Sequence, residues 1–427
     1  MKIPELSAVS QEAIAGSGVE EFTVDGLRVI LKSTPGRPVV AARLYIAGGL
    51  ATADPKTVGI EDLALKVGTG AGTKTTPRAQ FKAALESMGS SIGGGADRDY
   101  STVTARSTRL YFEDTWKLFA QTLTEPSFDE KEFGLVKTRT IEGIKGRLDD
   151  PDASLRVTAT DVFFADHPYR FQTDGEVETV EPLTRDDLAA YYTAILTRSR
   201  CTLVVVGDVD RAWLEGAIKS DLAALPAGEW APVLPPELNV GAADMKLVEK
   251  EVATNYLLGY YAAPPPTHPD YFLLKVATSI LGDRLFEEVR TKRNLTYAVS
   301  AGLGGRQRNY GYLYVTAVDP QTTVGVMYGE VERLQNEPID PEELKDQLNV
   351  FLTEHYLAQE TVDAQLGSLG GSEMIGGGWE QTLVFIERVR AVTPEDIQRV
   401  SKEYMRNLHW GYVGDPAKAD KAQLTSK

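Results

Sequence analysis

The feature that most constrains this chain is that it repeats itself. One stretch reads Val180-Glu181-Pro182-Leu183-Thr184-Arg185-Asp186-Asp187-Leu188, followed by a helical run and then Leu203-Val204-Val205-Val206-Gly207-Asp208. Further on the chain reads Val389-Arg390-Ala391-Val392-Thr393-Pro394-Glu395-Asp396-Ile397, another helical run, and Trp410-Gly411-Tyr412-Val413-Gly414-Asp415. The two threonines lie 209 positions apart, and Gly207 and Gly414 lie 207 apart. A third pair, Glu125-Pro126-Ser127-Phe128-Asp129 against Glu337-Pro338-Ile339-Asp340, is offset by 212 at its prolines. Three ordered matches at nearly one offset predict two similar domains of about 200 residues each. In both copies the threonine precedes acidic residues at the head of an apolar-periodic run. This is a helix N-cap signal: the hydroxyl satisfies free backbone N–H groups and the acids suit the positive end of the helix dipole.

Pro226 to Pro236 carries four prolines in eleven residues, which neither a helix nor a central strand tolerates. The expected division is therefore a first domain over 1–225, a linker over 226–241 and a second domain over 242–427. Within the halves, Phe22 and Val24, then Asp25-Gly26, then Leu27, Val29 and Leu31 read as a hairpin, and Pro38 to Ile46 as a further strand. Ile60, Leu63, Ala64 and Val67 fall at helical spacing, as do Phe272, Val276 and Ile280. Strands grouped with helices, without strict alternation, predict an α+β fold in which each domain is a mainly antiparallel sheet packed with helices.

Several function classes are disfavoured. A formal net charge of -16 repels phosphate backbones, so a nucleic-acid role is not expected. No apolar run is long enough to span a membrane. The single cysteine, Cys201, permits no internal disulfide and opens an apolar run that reads as a buried strand. Gly93-Gly94-Gly95 and Gly376-Gly377-Gly378 lack the lysine and hydroxyl of a phosphate loop and read as turns or hinges. Met1 to Ser7 lacks the apolar core of a signal peptide. A cytoplasmic location is expected, and a periplasmic one if a leader has been removed.

The segment Leu285-Phe286-Glu287-Glu288-Val289-Arg290-Thr291-Lys292-Arg293-Asn294-Leu295-Thr296-Tyr297 carries an arginine and a tyrosine seven positions apart, between an apolar helix and a strand. It resembles the substrate-clamping element of the M16 (insulinase/pitrilysin-like) zinc peptidases. A guanidinium can fork onto a peptide carbonyl, and a phenol can donate to the oxygen that becomes negative in a tetrahedral intermediate. The resemblance implies these roles for Arg290 and Tyr297 in a cleft formed with a first domain.

That family's metal motif, H-x-x-E-H, is absent. The region resembling it runs from Gly59 to Thr75, and the positions that should read His, Glu and His hold Asp62, Leu65 and Lys66. A lysine is a cation where a cation should bind, and a leucine cannot abstract a proton. Glu142 resembles the third ligand, but one carboxylate reads as an exposed helix residue. Of the four histidines, His167 reads as part of a turn and His355 as a solvated helix position; none pairs with another at ligand spacing. The resemblance therefore implies an M16B-type non-catalytic subunit, inactive alone, with no cofactor of its own. It implies a heterodimer or larger assembly with a zinc-bearing subunit that carries H-x-x-E-H, acting on a peptide or unfolded protein. A purely structural or peptide-binding subunit is the alternative.

Overall fold

A computed structural model of the chain describes residues 9–426, so the reading of Met1 to Ser7 lies outside the described residues. Its strands are β1 (Val19–Val24), β2 (Leu27–Ser33), β3 (Val39–Ala47), β4 (Ser91–Ala96), β5 (Tyr100–Thr108), β6 (Cys201–Gly207), β7 (Asp244–Glu249), β8 (Asn255–Ala263), β9 (Val299–Leu303), β10 (Asn309–Ala317) and β11 (His409–Gly414). They form two sheets, ordered β1-β2-β6-β3-β5-β4 and β7-β11-β8-β10-β9. Without β1, the first order maps strand for strand onto the second. The pairs β2–β6 and β7–β11 run parallel and the other neighbours antiparallel, so both sheets are mixed. Residues 226–243 contain no helix or strand, and no described helix is long and apolar enough to cross a membrane.

Local chemistry explains the elements. Asp25 and Gly26 both have positive φ (49° and 88°), the geometry of a two-residue hairpin turn, and they join β1 to β2. Thr184 and Thr393 each cap a helix, Arg185–Ile195 and Pro394–Tyr404, in a reciprocal box with Asp187 and Asp396. Replacing either threonine by alanine is expected to cost about 1 kcal/mol, and the two losses should match in chemical denaturation because the boxes are equivalent. One expectation fails: Gly93-Gly94-Gly95 is neither turn nor hinge but the middle of edge strand β4. The helix Ile60–Gly70 lies against this strand, and a Cβ on Gly94 would come 3.3 Å from Leu65 Cβ and 3.2 Å from Thr69 Cγ2. Glycine here permits close helix–strand approach.

The central strands explain how the halves are joined. All seven residues of β6 and all six of β11 are buried, so both faces of each sheet are covered. Side chains alternate across a strand. Leu203 and Val205 point into a core built from the first half alone. Val204 and Val206 point the other way, against Val362, Leu366, Leu369 and Trp379 of the second half. The helix Val362–Ile375, though part of the second half, thus lies on the first sheet. The exchange is reciprocal: Leu155, Ala159, Phe163 and Phe164 of helix Pro151–Phe164 pack with Leu258, Tyr260 and Val413 of the second sheet. Full burial of one such side chain stabilises by about 1.5–3 kcal/mol. Two glycines set the closeness of these contacts. A Cβ on Gly411 would lie 2.6 Å from the backbone nitrogen of Ala159, and one on Gly370 would lie 2.1 Å from the ring of Tyr45.

Candidate functional site

Asp62, Leu65 and Lys66 all lie on the helix Ile60–Gly70, which starts after Gly59 (φ 99°). Leu65 is fully buried in the first core. Asp62 and Lys66 are four apart and therefore share a helix face, the spacing at which two metal ligands would stand. They instead form an ion pair at 2.5 Å. Asp62 is 5% exposed and also accepts from the backbone N–H of Ala96 at 3.3 Å. Burial raises its pKa, and the Lys66 ammonium partly offsets this. The adjacent Glu61 is occupied too, accepting from Ser101 and, at 2.7 Å, from the Tyr191 hydroxyl. Glu142 is exposed on the helix Glu130–Gly146. These residues do not fit a zinc ion: one carboxylate is neutralised by a neighbouring ammonium and the general-base position is an alkyl group. Among the described residues no cluster of three or more His, Cys, Asp or Glu could hold a metal.

Because the fold raises the Asp62 pKa, the folded chain binds this proton more readily than the unfolded chain. Its unfavourable contribution is full at neutral pH, shrinks as pH falls through the folded pKa, and is gone below the ordinary carboxylate range. Asp62→Asn keeps an acceptor for Ala96 and leaves Lys66, 42% exposed, to solvent. It is expected to raise stability at pH 7, a gain that shrinks as pH falls through the Asp62 titration and is absent below the ordinary carboxylate range in pH-resolved denaturation.

Arg290 and Tyr297 stand together on the second half. The helix Asp270–Leu285 gives way to a wider π-helical turn, Phe286–Thr291, which delivers Arg290 to the surface. Its guanidinium lies 4.8 Å from the ring centre of Phe286 and 5.0 Å from that of Tyr297, between two aromatic rings. Asn294, at positive φ, turns the chain back, and its N–H donates to the Arg290 carbonyl at 3.0 Å. Buried Thr296 anchors the return by hydrogen bonds to the carbonyls of Ala298, at 2.9 Å, and Thr316. Tyr297 is therefore held by its neighbours while its own side chain is 83% exposed.

Electrostatics leave Arg290 unspent. Glu288, the nearest acid in sequence on the same turn, is taken by Lys292 (2.7 Å) and Arg293. Hydrogen bonds from those two cations hold its carboxyl at about 2. Among the described residues, Arg290 has neither carboxylate nor side-chain hydrogen-bond partner; its side-chain contacts are the rings of Phe286 and Tyr297. The pair borders a depression of about 440 Å³ lined also by Thr254, Leu295, Thr316 and Val318. Every lining residue belongs to the second half, so no cleft with this chain's own first half is formed there. Phe286 was not singled out from the sequence, although an aromatic four positions before an arginine on a helix is a readable signal.

Two sequence models of one peptidase family match the chain. One described as insulinase (peptidase family M16) covers residues 28–152, and one described as the peptidase M16 inactive domain covers residues 182–351. The chain belongs to the M16 peptidase family. Among similar proteins, an uncharacterized zinc protease of Streptomyces coelicolor is 21% identical over 89% of this chain and 85% of its own length. A non-peptidase homolog of Helicobacter pylori is 21% identical over 82% of each chain. The solved structure of a peptidase M16 inactive domain from Pseudomonas fluorescens superposes with a TM-score of 0.83 at 22% identity, covering 93% of this chain and 97% of that one, and shows the shared fold. The expected α+β architecture of two sheets packed by helices is thus the M16 architecture.

The remaining histidines have structural partners. His167 accepts from the Tyr169 N–H at 3.1 Å and reaches the Pro236 carbonyl at 3.0 Å, tying a turn to residues 226–243. His355 departs from its expected solvated position: its ring stacks on Phe385 with centres 4.1 Å apart. Cys201 is buried in β6, and burial pushes its thiol up to about 12, as befits an inert core cysteine.

Proposed function

We propose that this M16 family member is a non-catalytic subunit of a heteromeric peptidase and contributes Arg290 and Tyr297 to a partner's active site. The observation that carries the reading is the contrast between the two halves. The helix positions for metal binding are closed by an internal ion pair, whereas the arginine–tyrosine pair is assembled, anchored and left without partners. A half-buried arginine with no carboxylate partner, beside an exposed phenol, is suited to a bound peptide carbonyl. In this reading Arg290 holds a peptide carbonyl and Tyr297 donates to the developing oxyanion. The partner carries H-x-x-E-H and the zinc, and an unfolded segment lies between the subunits.

The test is cleavage of a mixed fluorogenic peptide library by the purified chain, alone and mixed with an M16 chain from the same genome that carries H-x-x-E-H, with zinc supplied. Activity confined to the mixture and abolished by a chelator supports the divided site. Chelator-sensitive activity in the chain alone overturns it. An active mixture indifferent to substitution of both Arg290 and Tyr297 leaves the chain a purely structural subunit.

A further inference from the structure

A second concavity lies away from the arginine–tyrosine pair. It is a cavity of about 360 Å³ among the helices Asp270–Leu285, Pro341–Ala358, Val362–Ile375 and Phe385–Arg390. Its charge is unusual for so acidic a protein. No aspartate or glutamate lines it, yet Lys275 does. The Lys275 ammonium lies 5.5 Å from the ring centre of Phe385 and 5.8 Å from that of Tyr271, and it has no ion-pair or hydrogen-bond partner among the described residues. Burial pushes its pKa down. A part-buried ammonium whose surroundings are aromatic rings has given up water without gaining an anion.

Two neighbours share this condition. His355 also stacks against Phe385, with no hydrogen bond at either ring nitrogen; burial and then the charge of Lys275 push its pKa down. Arg388 sits over Phe272, 5.0 Å from the ring centre, and donates to Gln381 at 2.6 Å. Its Nη1 is buried without a partner, and it too lacks a carboxylate. Phe272 and Gln381 are cavity walls, so Arg388 stands directly behind them. The space itself is kept open by small residues that packing does not demand. Gly370 must be glycine because Tyr45 presses on it, but a Cβ on Gly367 would meet nothing within 4 Å, and one on Gly371 only the Tyr100 hydroxyl at 3.7 Å. Glycine in a helix interior is unfavourable, so two glycines facing free volume are a cost with no packing return.

We propose that this cavity binds a carboxylate carried on a compact apolar or aromatic body, with Lys275 as the charge partner and Tyr271, Phe272 and Phe385 enclosing the body. A cavity of this size with aromatic walls and one convergent charge has the composition of a small-ligand site. The carboxylate can come from a free acid or from the C-terminus of a peptide; both present the same group next to an apolar side chain. The site is separate from the proposed oxyanion contact and does not depend on it.

The test is calorimetric titration of the full chain with 3-phenylpropionate and with the peptide Gly-Gly-Gly-Phe, each beside its amide. Binding of either acid, weakened about 10- to 100-fold in the amide and in Lys275→Met, is expected from loss of a charge-assisted contact. Binding of the free acid alone assigns the site to small metabolic acids, and binding of the peptide assigns it to chain termini. Gly367→Leu fills the volume while retaining Lys275 and is expected to abolish binding with an unchanged melting profile. A parallel readout is acetic anhydride labelling, in which the bound acid protects Lys275. Failure of both acids to bind, equal affinity for acid and amide, or binding indifferent to both variants overturns the proposal.

Discussion

Tyr297→Phe is expected to lower peptide cleavage by the proposed two-subunit assembly about 10²- to 10³-fold, the loss typical of removing one donor to a developing oxyanion. The substitution leaves everything around the hydroxyl in place. The ring that stacks on Arg290 is preserved, so the guanidinium keeps its place between two aromatic faces. Thr296, which anchors the return of the chain, is untouched. Only the hydroxyl is lost, and no described residue uses it, so assembly and thermal stability should be unchanged. A donor that acts on the transition state lowers kcat with little change in KM. Arg290→Ala should behave differently. Losing a group that grips the peptide carbonyl in ground and transition states alike raises KM, and it also frees Tyr297 to reorient. A KM effect from Tyr297→Phe, or an unchanged rate from both variants, would remove the oxyanion role.

The second large effect concerns the fold. Gly411→Val is expected to destabilise the chain by about 3 kcal/mol or more, read as a shift of the denaturation midpoint. A Cβ at this position meets the Ala159 backbone nitrogen at 2.6 Å and its Cα at 2.9 Å. Since the obstacle is main chain, no rotamer change relieves it, and the whole helix Pro151–Phe164 must lift from the second sheet. Lifting it exposes Leu155, Phe163 and Phe164 together. Adding Ala159→Gly should not rescue the variant, because only the methyl contact at 2.9 Å is removed and the backbone contact remains. Full rescue would show that the approach is set by side chains.

Much of this was legible in the sequence because it was local. The repeated Thr-x-x-Asp boxes, the Asp25-Gly26 turn and the apolar run after Cys201 all depend on neighbours a few residues away. Arg290 and Tyr297 were legible as a spacing, and their juxtaposition follows because a single turn and a tied return loop connect them. What the sequence withheld were consequences of packing between distant segments. The triple glycine of β4 reads as a turn until a helix is laid across it. His355 reads as solvated because Phe385 approaches from a different helix. The reciprocal placement of the helices Pro151–Phe164 and Val362–Ile375 had one trace, the unbroken burial of β6 and β11. A continuous apolar strand says that both faces are covered but not which segment covers them.

That reciprocal placement has a consequence for what counts as a unit here. Each sheet is completed by a segment the other half supplies, so the arrangement is a domain swap whose two partners happen to be tethered end to end. The tether, residues 226–243, adds effective concentration rather than the main contacts of the core. Each half on its own would leave one face of its sheet bare and one buried helix without a seat. The first half, whose candidate metal positions are closed by an ion pair, is thus also the layer that the second sheet needs.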